Sequence, residues 1–220
     1  MERLAKRFCF EGNVLDVSPC GNGHINSTYF VHTDSGTDYI LQKINHHVFR
    51  DVEMLMKNIR LVVDHLHAKG LDERHALTII PTAEGSKDYL LDENGCYWRA
   101  YLYLSGSVSL DCAENVHDFY QNGKAFGRFQ NLLSDFPAEK LGETIPLFHD
   151  TAKRYRDFEQ AVKEDVCGRA RDVQREIDFL RERQHEASLL TDALAAGRIP
   201  LRVTHNDTKM NNVLLDAVTR

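Results

Sequence analysis

The residues best equipped for chemistry sit together in one stretch, VTHNDTKMNNVLLD, from Val203 to Asp216. Its polar centre holds His205, Asp207, Lys209, Asn211 and Asn212 between apolar neighbours. Moving a phosphoryl group onto a hydroxyl needs a carboxylate to orient or deprotonate the acceptor and oxygen ligands for Mg²⁺. It also needs cations against the charge that spreads over the transferred oxygens. Asp207 can serve as the base, and Lys209, two residues on, can reach the moving phosphoryl. Asn212, five residues past Asp207, offers a hard amide oxygen to Mg²⁺. A plain polar surface loop accounts for any one of these residues, but poorly for all of them in register. His205 reads as a brace for the loop rather than a reacting group.

The Asp-to-Asn spacing is that of the protein-kinase catalytic loop, H-R-D-x-x-x-x-N. The stretch THNDTKMNNVLLD resembles the catalytic loop of the aminoglycoside-phosphotransferase and choline-kinase-like superfamily. Within it, GNGHINSTYFV, YILQKIN, AFGRFQNLL and IPLFHDTAKR are most similar to the N-acetylhexosamine 1-kinase type of sugar kinase, so the likeness covers nearly the whole chain. The resemblance implies an α+β, protein-kinase-like bilobal fold with ATP and Mg²⁺. It also implies phosphorylation of a sugar, an N-acetylhexosamine, at its anomeric hydroxyl. A kinase-like site has a second metal ligand, an Asp in a D-F-G or D-x-D element after the loop. Here Asn212 is followed by VLLDAVTR, without such an element, and Asp216 resembles the turn acid of relatives. The expectation is a kinase cut between its two metal ligands and poorly active alone. Choline, homoserine or aminoglycoside acceptors share the loop, and a non-catalytic nucleotide-binding remnant is the reading from another class.

The loop has to be positioned by the elements before it. Thr28–His32 and Tyr39–Ile44, around the turn-forming TDSGTD, predict a hairpin. Val52, Leu55, Ile59, Val62 and Leu66 recur at helical steps up to Gly70. ALTII predicts a strand, and KDYLLDENGCYWRAYLYL a second hairpin turned at ENG. Together these make a β-rich N-lobe over residues 1–104, followed by SGSVSL as a short connector. Residues 105–220 read as part of a helical C-lobe. Its first helix runs along Val116, Phe119, Gly123, Phe126, Gln130 and Leu133, with Gly123 and Gly127 permitting close backbone approach. A second helix starts at Asp150 or Thr151, either of which can cap it. The third and longest follows an apolar stripe from Val173 through Ile177, Leu180, Ala187 and Leu190 to Leu194. LRV and VLL on either side of the loop read as short strands.

Several residues then fall where a kinase-like site wants contacts. Gly21 and Gly23, ahead of a strand, could lay backbone N–H groups over phosphates, or could simply make a turn. A cation is wanted on the third strand, where Gln42 and Lys43 point to opposite faces. Lys43 is the favoured one, with a solvated lysine as its plain alternative, and Glu53 is its possible partner. By resemblance, Tyr101–Gly106, including Tyr103, is the hinge whose backbone meets adenine. His149 and Asp150 could hold sugar hydroxyls, while Asp150 as a helix cap is the plainer role. His46, His47, His65 and His67 lack zinc spacing.

Composition narrows the partners. With 42% apolar and 27% charged residues the chain reads as globular, and 27 Lys+Arg against 33 Asp+Glu give a charge of -6 without basic clusters. That argues against nucleic acid. The five cysteines have no C-x-x-C pairing, as expected for reduced thiols in the cytoplasm. No window approaches the ~18 apolar residues of a membrane span, and the N-terminus lacks a signal-peptide core. The sequence leaves the oligomeric state open.

Overall fold

Alternating β-branched and aromatic residues make the first half of the chain a sheet. The computed structural model describes residues 1–21 and 25–220. It divides into two compact units, Met1–Ile145 with Val203–Arg220, and Pro146–Arg202.

In the first unit a short helix α1 (Glu2–Ala5) precedes the meander β1 (Val14–Pro19), β2 (Ser27–Thr33) and β3 (Tyr39–Ile44). Helix α2 (Val52–Ala68) follows, then β4 (Ile79–Ile80), β5 (Leu90–Leu91) and β6 (Tyr97–Leu102). The strand order is β1-β2-β3-β6-β4, with β5 also on β6 and every pairing antiparallel. The expected hairpins and the helix ending near Gly70 are therefore present.

Register decides which side chains share a face. Leu41 stands between Tyr29 and Ala100, and Tyr39 between Val31 and Leu102. With Phe8 and Trp98 they form one core. The opposite face carries Ile40, Ile44, Tyr97 and Tyr101, which meet Val52, Leu55 and Met56 of α2. The apolar positions of α2 fall on one side, and Asp51 caps it by accepting from the Met54 N–H at 2.8 Å.

The β1–β2 sheet edge is tied down by Asn13, whose N–H and amide donate to the two oxygens of Asp34. Gly12 precedes it at φ +77°, where an added Cβ would stand 2.4 Å from Asp34 Oδ1 and 2.8 Å from the Ser35 nitrogen. Gly12→Ala is therefore expected to cost about 1–3 kcal/mol in strain and displaced hydrogen bonds. Urea denaturation measures this, and an unchanged midpoint would show that the turn relaxes freely.

Beyond the sheet, several expectations need correction. The connector is not merely a tether, because β7 (Ser107–Val108) pairs with β8 (Leu215–Asp216) just after the polar loop. Of the strand-like flanks only the second forms a ladder. Val203 instead packs as irregular backbone on the cluster of Leu66, Leu133 and Phe136. Helix α3 (Val116–Leu132) is present, but its predicted inner face is turned outward at the start: Val116 is 87% and Phe119 68% exposed. The first turns bury Asp118 and Asn122 instead. Gly123 and Gly127 adjoin open space rather than another backbone.

The second unit holds α4 (Thr151–Glu164), α5 (Gln174–Glu182) and α6 (Leu189–Ala195), with 3-10 turns at Ala170–Val173 and Gln184–Glu186. The single long helix expected over 173–194 is thus broken. Residues 181–186, RERQHE, contain no apolar side chain, so the apolar stripe that would seat a continuous helix is interrupted there. Within the described residues no helix is long and apolar enough to cross a membrane.

Candidate active site

The polar loop is built against α3. Asn122 Nδ2 donates to the Met210 carbonyl at 3.4 Å. Ser109 Oγ donates to the Asn211 carbonyl at 2.9 Å, and Asn211 Nδ2 to Asp111 Oδ1 at 3.2 Å. The Ala217 N–H donates to the Gly106 carbonyl at 2.8 Å, extending the clip that β7 and β8 make. The His205 ring stands edge-on to Phe126 and Phe129, at 5.4 and 5.9 Å. Its Nδ1 accepts the Asp207 N–H at 3.3 Å, which requires that nitrogen to be unprotonated. His205 therefore touches both the apolar side of α3 and the backbone of Asp207.

Within the loop, the three residues singled out by spacing converge. Asn212 Nδ2 donates to Asp207 Oδ2 at 2.9 Å and to the Asp207 carbonyl at 2.8 Å. Lys209 Nζ lies 3.4 Å from the same Oδ2. The 3-10 turn Met210–Asn212 brings the fifth residue back onto the first. The Asn212 hydrogen bond, and after it the Lys209 charge, hold the Asp207 carboxyl below its ordinary value of 3.8. Its charged form is thus favoured, and protonation sets in only as pH falls through the lowered value. Removing the larger cause, in Asn212→Ala, is expected to raise the Asp207 midpoint towards 3.8. Carbon NMR of the labelled carboxyl reads this directly, and a midpoint that stays or falls would show that Asn212 does not set it.

Asn212 also bears on metal binding. Its amide nitrogen faces Asp207, and Oδ1, on the other branch, accepts no hydrogen bond among the described residues. That oxygen fits one hard-cation ligand. Next to the loop, Asp118 is fully buried; its Oδ2 accepts from Asn115 Nδ2 at 3.1 Å. Its Oδ1 has no hydrogen bond and lies 3.9 Å from Arg220 Nε.

The sheet carries a second group of polar residues. Thr28, Gln42 and Arg99 form a straight row across β2, β3 and β6. Gln42 Nε2 donates to Thr28 Oγ1 at 2.9 Å, while Arg99 Nε and Nη2 donate to Gln42 Oε1 at 3.0 and 2.7 Å. Lys43 is on the other face, opposite Trp98, where the Cys96 thiol and then the Asp92 carboxylate raise its pKa. The possible Lys43–Glu53 pair is not formed, since α2 packs on the face that Lys43 does not share. Gly21 takes φ +77°, and the Cys20 N–H before it donates to the Thr28 carbonyl at 2.9 Å. Gly23 lies outside the described residues. The Tyr103 ring meets Phe30 edge-on at 4.9 Å, and its N–H donates to the Asp38 carbonyl.

His149 and Asp150 belong to the second unit. There Asp150 caps α4 by accepting from the Lys153 N–H, as its plainer reading had it, and the His149 ring packs edge-on to Phe148 at 4.4 Å. Sequence reasoning overlooked Asn122, Asp118 and Arg99. The first two are polar residues four apart in a helix, a spacing that marks a shared face as surely as an apolar pair does. Arg99 was legible as the cross-strand neighbour of Gln42 once the hairpin register was known.

The family model described as "Phosphotransferase enzyme family", APH, matches residues 16–220. Among solved structures, spectinomycin phosphotransferase APH(9)-Ia, in complex with ADP and spectinomycin, is similar at a TM-score of 0.56 and 15% identity. That match covers 97% of this chain and 63% of the other. Amicoumacin kinase hAmiN, in complex with AMP-PNP, Ca²⁺ and Ami, gives 0.53 and 16%, covering 80% of this chain and 52% of its own. At these identities the likeness is one of fold: the α+β, kinase-like architecture. The chain spans less than two thirds of either neighbour's length.

Proposed function

The chain belongs to the APH phosphotransferase enzyme family, and from that premise we propose that it moves the γ-phosphoryl group of ATP onto the anomeric hydroxyl of an N-acetylhexosamine. The observation that carries the reading is the convergence of Asn212 and Lys209 on one oxygen of Asp207. With Oδ2 engaged, Oδ1 is left to accept the proton of the sugar hydroxyl. The sugar oxygen forms the new P–O bond, the β–γ bridging P–O bond breaks, and ADP leaves with a sugar 1-phosphate formed. Lys209 neutralises charge on the transferred oxygens, and His205 keeps Asp207 in place. Asn212 Oδ1 would hold Mg²⁺, which when bound neutralises the β- and γ-phosphates.

The remaining assignments follow the same reading. Residues 1–104 form the nucleotide lobe and residues 105–220 part of the acceptor lobe. Gly21 covers the phosphates, Gln42 serves them from the α2 side of the sheet, and Tyr103 stands at the adenine end. The cytoplasm, which holds both ATP and small sugars, is the working compartment.

The two fold neighbours carry spectinomycin and Ami in their complexes, which favours a second reading with an acceptor of that kind in place of the sugar. Phosphorus NMR with ATP, Mg²⁺ and a panel of hexoses, N-acetylhexosamines, spectinomycin, choline and homoserine separates the two. The expected result is a sugar 1-phosphate resonance with N-acetylhexosamines. A product with another acceptor alone would replace the substrate. Silence from this chain, which has no D-x-D or D-F-G element after Asn212, moves the same panel to a longer protein that carries one, and silence there would remove the kinase reading.

A further inference from the structure

Resting on the ATP reading, we infer that Arg99 supplies the positive charge for the nucleotide phosphates on this sheet, the part for which Lys43 was the sequence candidate. Face is the first ground. Arg99 and Gln42 share a face with Ile40 and Tyr101, where α2 packs, whereas Lys43 shares the Leu41 and Trp98 face. The row from Arg99 through Gln42 ends at Thr28, at the base of the turn that holds Gly21. Two residues along the strands, about 7 Å away, the next row leads through Phe30 to Tyr103. An aromatic pair at one end and a cation at the other suit a base and its phosphates.

Charge balance is the second ground. Arg99 is half-buried and has no carboxylate partner among the described residues. Its neighbours are Gln42 Oε1, the Met56 sulfur at 3.8 Å and the Tyr101 ring at 5.2 Å. Arg60, also half-buried, is paired with both Asp88 and Asp64. Lys43 has the Asp92 carboxylate nearby. A half-buried cation without an anion is costly, and an incoming phosphate relieves that cost. Gln42 fixes one edge of the guanidinium by taking two of its five N–H groups. The Met56 sulfur takes a third, from Nη1, and the two donors left over can meet phosphate oxygens.

Calorimetric titration of the full chain with adenosine, ADP and ATP tests the assignment. Wild-type protein should bind ADP and ATP more tightly than adenosine. Arg99→Gln should lose about tenfold or more of that phosphate-dependent gain while keeping its affinity for adenosine. Gln42→Glu should lose it too, because a carboxylate then neutralises Arg99 in place, and Arg99→Lys should keep part of it. Thermal unfolding without ligand reports whether each variant is folded, and Gln42→Glu with Arg99→Lys decides the matter if Arg99→Gln is not. A folded Arg99→Gln with the full gain, or its loss in Lys43→Met instead, overturns the assignment alone. No binding of any of the three ligands by wild-type protein overturns the ATP reading, and the assignment with it.

Discussion

Asp207→Asn is expected to slow phosphoryl transfer by at least about 10²-fold, the usual effect of losing a general base, while nucleotide affinity holds. The substitution is well isolated by the loop. An amide oxygen at the Oδ2 position can still accept the Asn212 hydrogen bond, and the His205 contact is to the Asp207 backbone. The loop therefore keeps its shape while the group that takes the proton is lost. Steady-state kinetics with the acceptor found by phosphorus NMR should show the fall in kcat, with KM for ATP little changed. A variant that retains more than a tenth of the rate would strip Asp207 of the base role and leave it a positioning group.

The largest expected effect on stability lies on the other side of the sheet from Gln42. Leu41 is 0% exposed in a central strand, between Tyr29 and Ala100. Leu41→Ala should cost about 2–5 kcal/mol, the lost transfer energy plus the cavity left behind. Strands hold both neighbours in register, which limits collapse into the space. Phe119→Ala, at a ring 68% exposed on α3, should stay within about 0.5 kcal/mol. Urea denaturation of the two side by side is the measurement. Equal midpoints would mean that the β3 core repacks far more readily than its burial implies.

Much of this arrangement was legible in local pattern. Period-two alternation located β2, β3 and β6, helical spacing located α2 and α3, and the spacing of Asp207, Lys209 and Asn212 singled out three residues that the loop brings together. What stayed hidden depends on partners remote in sequence. Whether Gln42 or Lys43 shares the α2 face depends on how the sheet seats its helix, which no single strand encodes. Apolar spacing points to the wrong side of α3, because its first turns bury polar side chains and expose Val116 and Phe119. Asp118 and Asn122 are buried because the loop and Arg220 bring polar partners to them. The break after α5 was visible in RERQHE, but the apolar residues on either side disguised it.

The β7–β8 clip also has a meaning in time. The strands of the main sheet are all complete by Leu102, whereas Ser109 must wait for Asn211, 102 residues later, to receive its hydrogen bond. At ~5–20 residues per second of synthesis, the sheet can assemble on the ribosome for several seconds before Asp207 has been joined to the chain. A nascent molecule then passes through a stage with its row of Thr28, Gln42 and Arg99 formed and its polar loop not yet made. Closing so long a loop is slow relative to hairpin formation, so the loop of Asp207 takes its shape well after the sheet has formed.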